Sequence, residues 1–219
     1  MWRKIYEWLD ERLSIGAMYT NLLDRPEPRG TWWNTLGSAS LFLFILQGLT
    51  GMFLLVYYTP SPDHAYDSIQ YIMNDVAFGW LIRGMHHWGA TLMVVVVFIH
   101  MLRVFTTASF KYPRELTWVI GALLFVVTLA MGLTGYLLPW NQKSYWATTV
   151  ATQIAATPPY IGEFILKVMR GGNELSALTL QRFFATHVWL LPLILIALIG
   201  VHLYLIIKHG ESNYPKADE

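Results

Sequence analysis

The sequence predicts an all-α membrane protein built as a bundle of four transmembrane helices. Of its 219 residues, 55% are hydrophobic and only 13% are charged, whereas an average soluble domain has roughly 25% charged residues. Four stretches lack Asp, Glu, Lys and Arg for about 19 residues or more, enough for a helix to cross about 30 Å of hydrocarbon. We therefore expect one domain over residues 1–219 whose main solvent is lipid.

The predicted spanning helices are separated by loops of unequal length. Charged residues and turn signals place the helices at about residues 32–58, 79–105, 116–140 and 181–208. The third connection is the longest, at about 40 residues, and unstructured loops of that length are uncommon in compact domains. Its Thr-Pro-Pro and Gly-Gly sequences predict short segments that lie on the membrane surface.

Residues 1–30 are predicted to form an interfacial segment that begins with an amphipathic helix. Within residues 2–13, charged side chains occupy most of the helix surface. The apolar side chains near one face are Ile5, Trp8, Leu9 and Leu13. This pattern is typical of a helix lying in the membrane interface. An ordinary soluble helix packed on loops is the alternative.

Basic residues near the spans predict the orientation of the chain. Most of them, such as Arg103 and Lys208, fall on the side shared by the two termini and the second loop. By the positive-inside tendency, both termini then face the cytoplasm, or the stroma or matrix of an organelle. The first loop lies on the opposite side and carries Asp63, Asp67 and Asp75.

The composition excludes several classes of function. The formal net charge is +1, which gives no basis for binding nucleic acid. The sequence contains no cysteine, so this chain itself holds no disulfide, iron–sulfur cluster or thioether-bound cofactor. Histidine, methionine and carboxylate side chains remain as candidate ligands.

Four histidines inside the predicted spans form two matched pairs. His86 and His100 in the second helix are 14 positions apart, which puts them on nearly the same face at an axial separation of about 21 Å. His187 and His202 in the fourth helix are 15 apart, within about 60° of one face and about 22 Å along the axis. Because these two helices run in the same direction, we expect His86 to face His187 and His100 to face His202.

The depth of these histidines in the membrane indicates a function, because ionisable side chains are costly there and usually functional. Two imidazoles facing each other across a bundle can bind haem iron from both sides and leave no open position, which suits electron transfer. The pairs therefore predict two stacked, non-covalently bound haems b. The alternatives are hydrogen bonds to neighbouring helices, or a proton path through a haem-free channel.

Four glycines repeat the spacing of the histidines. Gly37 and Gly51 in the first helix are 14 positions apart, as are Gly121 and Gly135 in the third. A glycine facing each haem plane would let the backbone approach the porphyrin. Simple helix packing is the alternative.

Two arginines flank the histidines of the second helix. Arg83 lies one turn before His86, and Arg103 lies one turn after His100. Haem propionates are anions, so each arginine is placed to pair with one near a membrane surface. The alternative is that both are anchors that snorkel to the interface.

Longer strings carry a resemblance to a known family. They are Gln-Tyr-Ile-Met at 70–73, Phe-Gly-Trp-Leu-Ile-Arg at 78–83, Pro-Arg-Glu-Leu-Thr-Trp at 113–118 and Gly-Leu-Thr-Gly-Tyr-Leu-Leu-Pro-Trp at 132–140. With the histidine pairs, they make the chain resemble the cytochrome b family, in the split four-helix form typified by cytochrome b6. The resemblance covers nearly the whole chain.

The resemblance implies a function in electron transport. It implies that His86 and His187 hold the outer haem and that His100 and His202 hold the inner one, coupling quinol oxidation outside to quinone reduction inside and to proton translocation. The implied partners are a three-helix membrane subunit with a Pro-Glu-Trp-Tyr loop, a Rieske iron–sulfur protein and a c-type cytochrome, in a dimeric complex. The implied location is a bacterial inner membrane or a thylakoid membrane. A di-haem anchor of a dehydrogenase, without bifurcation, is the alternative.

Three further positions follow from the resemblance. Tyr136 and the segment after Trp140 would line this chain's share of the quinol oxidation site. Thr35 stands where the split family often has a cysteine that binds an extra haem, so a covalent haem c is not expected. Ile207 stands where a basic residue is often found, although Lys208 follows it.

Overall fold

The computed structural model describes residues 2–13, 16 and 32–210, and within these residues all regular structure is helical. A 3₁₀ turn at Trp32–Thr35 precedes the first spanning helix. In chain order the α-helices are α1 Trp2–Leu13, α2 Leu36–Tyr57, α3 Ala65–Asn74, α4 Gly79–Thr106, α5 Glu115–Leu137, α6 Gln142–Ala155, α7 Gly162–Arg170, α8 Ala177–Ala185 and α9 Leu191–His209.

Four of the helical segments in the described residues are long and apolar enough to cross a membrane, which confirms the predicted fold class. They are Trp32–Tyr57, Gly79–Thr106, Glu115–Leu137 and Ala177–His209, the last made of α8, a π turn at Thr186–Leu190 and α9. Many of their large apolar side chains are exposed, as expected when lipid rather than protein covers them.

Two span boundaries differ from the sequence expectation, and local chemistry explains both. The third span ends at Leu137 rather than at 140, because Pro139 has no N–H to donate to the helix and Trp140 has a positive φ of 49°. The fourth begins at Ala177 rather than at 181, because a capping box between Ser176 and Thr179 starts α8 there.

The connections contain helices that the sequence reading did not place. The first loop forms α3, which was not predicted. The long third connection forms α6, begun by a capping box between Asn141 and Ser144, and α7, which ends at Gly171 with a φ of 81°. The predicted short segments of this loop are thus two helices, and their position on the membrane surface stays a prediction.

The predicted amphipathic helix at the N-terminus is present as α1, with Trp2, Ile5 and Trp8 exposed. Its place in the membrane interface stays a prediction. The side chains of Leu9 and Leu13, and most of the predicted segment 1–30, lie outside the described residues.

The spanning helices pack chiefly in two pairs, α2 on α4 and α5 on the fourth span. A buried cluster closes the bundle at the end where the long connection lies, and it consists of Ala65, Leu137, Leu180 and Phe183. The Tyr58 hydroxyl packs beside it and donates to the Leu138 carbonyl at 2.7 Å. Burial raises the pKa of Tyr58, so the phenol stays protonated and ties the end of α2 to the end of α5.

Candidate cofactor site between the spanning helices

The histidines lie at two levels of the bundle, as the sequence analysis predicts. The loop-side pair, His86 and His187, lies toward the end that carries α6 and α7. Their ring centroids are 6.4 Å apart and their planes meet at 80°. The terminus-side pair, His100 and His202, lines one cavity toward the opposite end.

Two threonines hold the rings of the loop-side pair. Thr50 Oγ1 lies 3.0 Å from His86 Nδ1, and Thr134 Oγ1 lies 3.1 Å from His187 Nδ1. Each threonine hydroxyl donates its only proton to the carbonyl four residues earlier in its own helix, at 2.6 and 2.8 Å. The hydrogen-bond network therefore assigns the proton to Nδ1, which donates to the threonine, and leaves the Nε2 lone pair free for a metal.

These threonines were not predicted, although the sequence carries a signal for them. Thr50 directly precedes Gly51, and Thr134 directly precedes Gly135. The dipeptide Thr-Gly therefore recurs in two helices at the same level, each time beside a histidine. Both threonines are buried.

Each of the four predicted glycines faces the imidazole of one histidine. A Cβ built on the glycine would lie from the ring Cε1 at 3.4 Å for Gly37 and His100, 3.2 Å for Gly51 and His86, 3.2 Å for Gly121 and His202, and 2.6 Å for Gly135 and His187. The glycines thus make room for the imidazoles, most strictly at Gly135, where a side chain would overlap the ring.

A π turn compensates for the unequal sequence separation of the histidines in the two helices. The separation is 14 residues in α4 but 15 in the fourth span, and the π turn at Thr186–Leu190 includes His187. A π turn accommodates one residue more than an α-helical turn. The 15-residue separation is therefore equivalent to 14, so both histidines of the fourth span match the register of α4.

The terminus-side pair lies in a cavity of about 510 Å³. Gly37, Gly121 and Thr35 also line it. The Nδ1 atoms of His100 and His202 are buried and have no hydrogen-bond partner among the described residues. The Thr117 carbonyl faces the His202 ring but does not reach hydrogen-bonding geometry. Among the described residues, no threonine hydroxyl is hydrogen-bonded to either ring.

Two arginines line this cavity, one predicted and one missed. Arg103 donates from Nη2 to Asn34 Oδ1 at 2.6 Å, and its buried Nε has no partner among the described residues. Arg114, which the sequence analysis passed over although it lies in the string 113–118, donates from Nε to the Gly210 carbonyl at 3.1 Å. Two cations therefore border one end of the cavity.

The remaining predicted residues lie outside this cavity. Arg83 lies at the loop-side end of α4, with Nη1 3.5 Å from Met73 Sδ. Tyr136 is 42% exposed near the end of α5, so it is open to a ligand or partner at the loop-side surface. Within the described part of the chain, no three His, Asp or Glu side chains converge to hold a metal ion by themselves.

These features define a class of protein: a multi-pass membrane protein of four spanning helices that presents two level pairs of imidazoles between them. Comparison with known proteins agrees. The family described as "Cytochrome b/b6/petB" matches residues 23–210, and the chain belongs to this family.

Two relatives match this chain over nearly the whole length of both proteins. It is 43% identical, over 97% of its length and 99% of the relative's, to the menaquinol:cytochrome c reductase cytochrome b subunit of Bacillus subtilis (strain 168). It is 44% identical to cytochrome b6 of Heliomicrobium gestii, over 94% of this chain and 99% of that protein.

A solved structure is similar throughout the bundle. A chain of a hyperthermophilic respiratory complex III matches with a TM-score of 0.86 and 37% identity, over 97% of this chain. This chain spans 58% of that longer one. The similarity therefore extends over nearly the whole of this chain and over part of the longer one.

Proposed function

We propose that this chain is the di-haem cytochrome b subunit of a quinol-oxidising Rieske/cytochrome b complex. In this role it carries electrons across the membrane, coupling quinol oxidation on the loop side to quinone reduction on the terminus side and to proton translocation. The observation that carries the proposal is the loop-side pair, whose two imidazoles face each other with Nδ1 engaged and Nε2 free.

The separation of the loop-side rings fits a shared metal. An imidazole nitrogen binds a transition metal at about 2.0–2.1 Å, and the ring centre lies roughly 1 Å behind it, so two imidazoles on opposite sides of one metal have centroids roughly 6 Å apart. The observed distance is 6.4 Å. Two nitrogens alone hold a metal ion poorly, whereas haem would bring four nitrogens of its own, and His86 and His187 would supply the other two.

The terminus-side cavity fits a second haem. His100 and His202 would be its ligands, and Arg103 and Arg114 are cations suited to propionates. When bound, the two haems supply one-electron carriers at two depths of the membrane. The chain's own residues would hold the imidazoles in one tautomer, exclude water from between the helices and offset the propionate charge. Thr35 supports the absence of a thioether-bound third haem.

The quinol and the partners are inferred from the relatives and the ends of the bundle. The relative from Bacillus subtilis is named as a subunit of a menaquinol:cytochrome c reductase, which supports quinol as the electron donor. Tyr136 and the segment after Trp140 would form this chain's share of the oxidation site. A three-helix membrane subunit, a Rieske protein and a c-type cytochrome would complete a dimeric complex in a bacterial inner or thylakoid membrane, with both termini on its negative side.

Single histidine variants test the proposal in the purified complex. His86→Ala should remove the loop-side haem and His202→Ala the terminus-side haem, because each haem then loses one of its two ligands. A redox titration of the b-type absorption should show two components in the wild type and one in each variant. Retention of both components in both variants would overturn the proposed ligands, and a wild-type complex with no Soret band would favour a haem-free channel.

A further inference from the structure

Arg170, the last residue of α7, is a buried cation outside the histidine sites. Only 3% of it is exposed. Its guanidinium donates from Nε to Thr152 Oγ1 at 2.8 Å, from Nη2 to the Thr149 carbonyl at 3.0 Å and from Nη1 to the Asn173 carbonyl at 2.7 Å. One side chain therefore crosslinks α7 to α6 and to the turn before α8.

No carboxylate accompanies this charge. Among the described residues, no Asp or Glu forms an ion pair with Arg170, and its observed partners are neutral oxygens. Burying a cation without a counter-ion is costly unless its donors are satisfied. A neutral side chain would avoid that cost but could not make all three bonds, and a lysine ammonium would carry all its donors on one atom. The position therefore favours the planar fork of donors that a guanidinium provides.

The backbone at the end of α7 is held by α8. The Thr179 hydroxyl donates to the Arg170 carbonyl at 2.6 Å. Arg182 donates from Nη1 to the carbonyls of Lys167 and Val168 at 3.1 and 2.7 Å. The carbonyls of Val168 and Arg170 are among those that the end of a helix leaves free, whereas the Lys167 carbonyl also accepts from the Gly171 N–H at 2.9 Å. The fourth span therefore holds α7, and through Arg170 it also holds α6.

This linkage joins two parts of the loop-side end. The helix α6 begins at Gln142, a few residues after Tyr136, and the fourth span runs from α8 into His187. Asn141 caps α6 at its start, whereas Arg170 holds its second half. Without Arg170, α6 keeps its attachment to α5 but loses these hydrogen bonds to α7, and with them its link to the fourth span.

We propose that Arg170 is a positioning residue that fixes α6 to α7, and through α7 to the fourth span, and so sets the shape of the loop-side quinol site. The inference rests on the proposed function, because it assigns that site to the surface formed by Tyr136 and α6. Arg170 touches neither quinol nor cofactor in this role, and acts through the placement of α6.

The test uses the intact complex with three variants and one matched control. Arg170→Met removes the charge and every donor, Arg170→Lys keeps the charge but not the fork of donors, and Thr152→Val removes one acceptor. The control is Lys167→Met on the same helix, where the Lys167 and Glu163 side chains form an exposed ion pair at 2.6 Å. The measurements are kcat/KM for quinol, both haem midpoint potentials and hydrogen exchange of residues 142–155.

We expect Arg170→Met to lower kcat/KM for quinol by about 10- to 100-fold, the usual result of a small misplacement at a reacting site. Both midpoint potentials should stay at their wild-type values, exchange in α6 should rise, and Arg170→Lys and Thr152→Val should be intermediate. The control should match the wild type. Unchanged midpoint potentials distinguish misplacement of α6 from general loss of structure.

Two results would overturn the inference. One is kcat/KM within twofold of the wild type in Arg170→Met, and the other is loss of quinol oxidation in proportion to loss of both haem signals. If Arg170→Met does not assemble, Thr152→Val decides, and wild-type kcat/KM and exchange in that variant would reject the role. A wild-type complex that does not oxidise quinol would refute the proposed function instead, while the exchange of α6 would still test the role of Arg170.

Discussion

The loop-side and terminus-side pairs are built from the same parts but are held differently. Both have two imidazoles from α4 and the fourth span, each packed on a glycine of α2 or α5. At the loop side, Thr50 and Thr134 bind both Nδ1 atoms, whereas at the terminus side both Nδ1 atoms lack a partner among the described residues. The positions of the rings thus follow from helix register, whereas the residue before each glycine decides whether a hydroxyl reaches Nδ1.

The strongest test of the register changes the length of one helix. Deleting Val95 from the regular helix α4 turns His100 by about 100° relative to His86, so one haem should be lost. Deleting Trp189 from the π turn should convert that turn to α-helix and leave both haems in place. Both side chains are exposed, and the haem content per complex is the measurement. Equal loss in the two deletions would contradict the role given to the π turn.

Glycine substitutions should also affect the two histidine pairs differently, but with a smaller loss of haem than the deletion causes. Gly135→Ala places a Cβ 2.6 Å from His187 Cε1, and such overpacking costs roughly 1–3 kcal/mol, so the occupancy of the loop-side haem should fall. Gly37→Ala makes an ordinary contact of 3.4 Å with His100 and should keep both haems. Titration of haem into the two variants, with comparison of the two redox components, measures the difference. A larger loss in Gly37→Ala would refute this ranking.

The smallest expected effect concerns the threonines. A hydrogen bond donated from Nδ1 makes the imidazole a stronger electron donor, so Thr50→Val and Thr134→Val should raise the midpoint potential of the loop-side haem by some tens of millivolts. Ile120→Thr, at the equivalent position before Gly121, should lower the potential of the terminus-side haem. Thr91→Val is the control, because Thr91 bonds only to its own helix at 3.4 Å. Shifts at the wrong level, or none, would show that these hydroxyls do not tune the site.

The sequence predicted the architecture because membranes impose simple rules. A run without charge must be a helix in lipid, so the four spans followed from composition. The register of His86 and His100 followed from helical geometry alone. The repeated spacing of 14 residues matched the glycines to the histidines, but it predicted that the glycines face haem, whereas in the structure they face the imidazole rings.

The contacts that depend on tertiary structure were not predictable in the same way. The π turn at Thr186–Leu190 leaves no apolar pattern, and only the extra residue between His187 and His202 hinted at it. The helix α3 is too short for its pattern to stand out from a polar loop. Arg114 reaches the terminus-side cavity only because the ends of α4, α5 and α9 meet there, a proximity that no single segment encodes.

The bundle has two halves, α2 packed on α4 and α5 packed on the fourth span. This division has a consequence for biosynthesis. Each half contributes one imidazole at each level, His86 and His100 from the first half and His187 and His202 from the second. Under the proposed function, a nascent chain that ends before α8 can offer only one axial ligand to any haem. Each proposed haem site would therefore gain its second imidazole only after the last helix has entered the membrane.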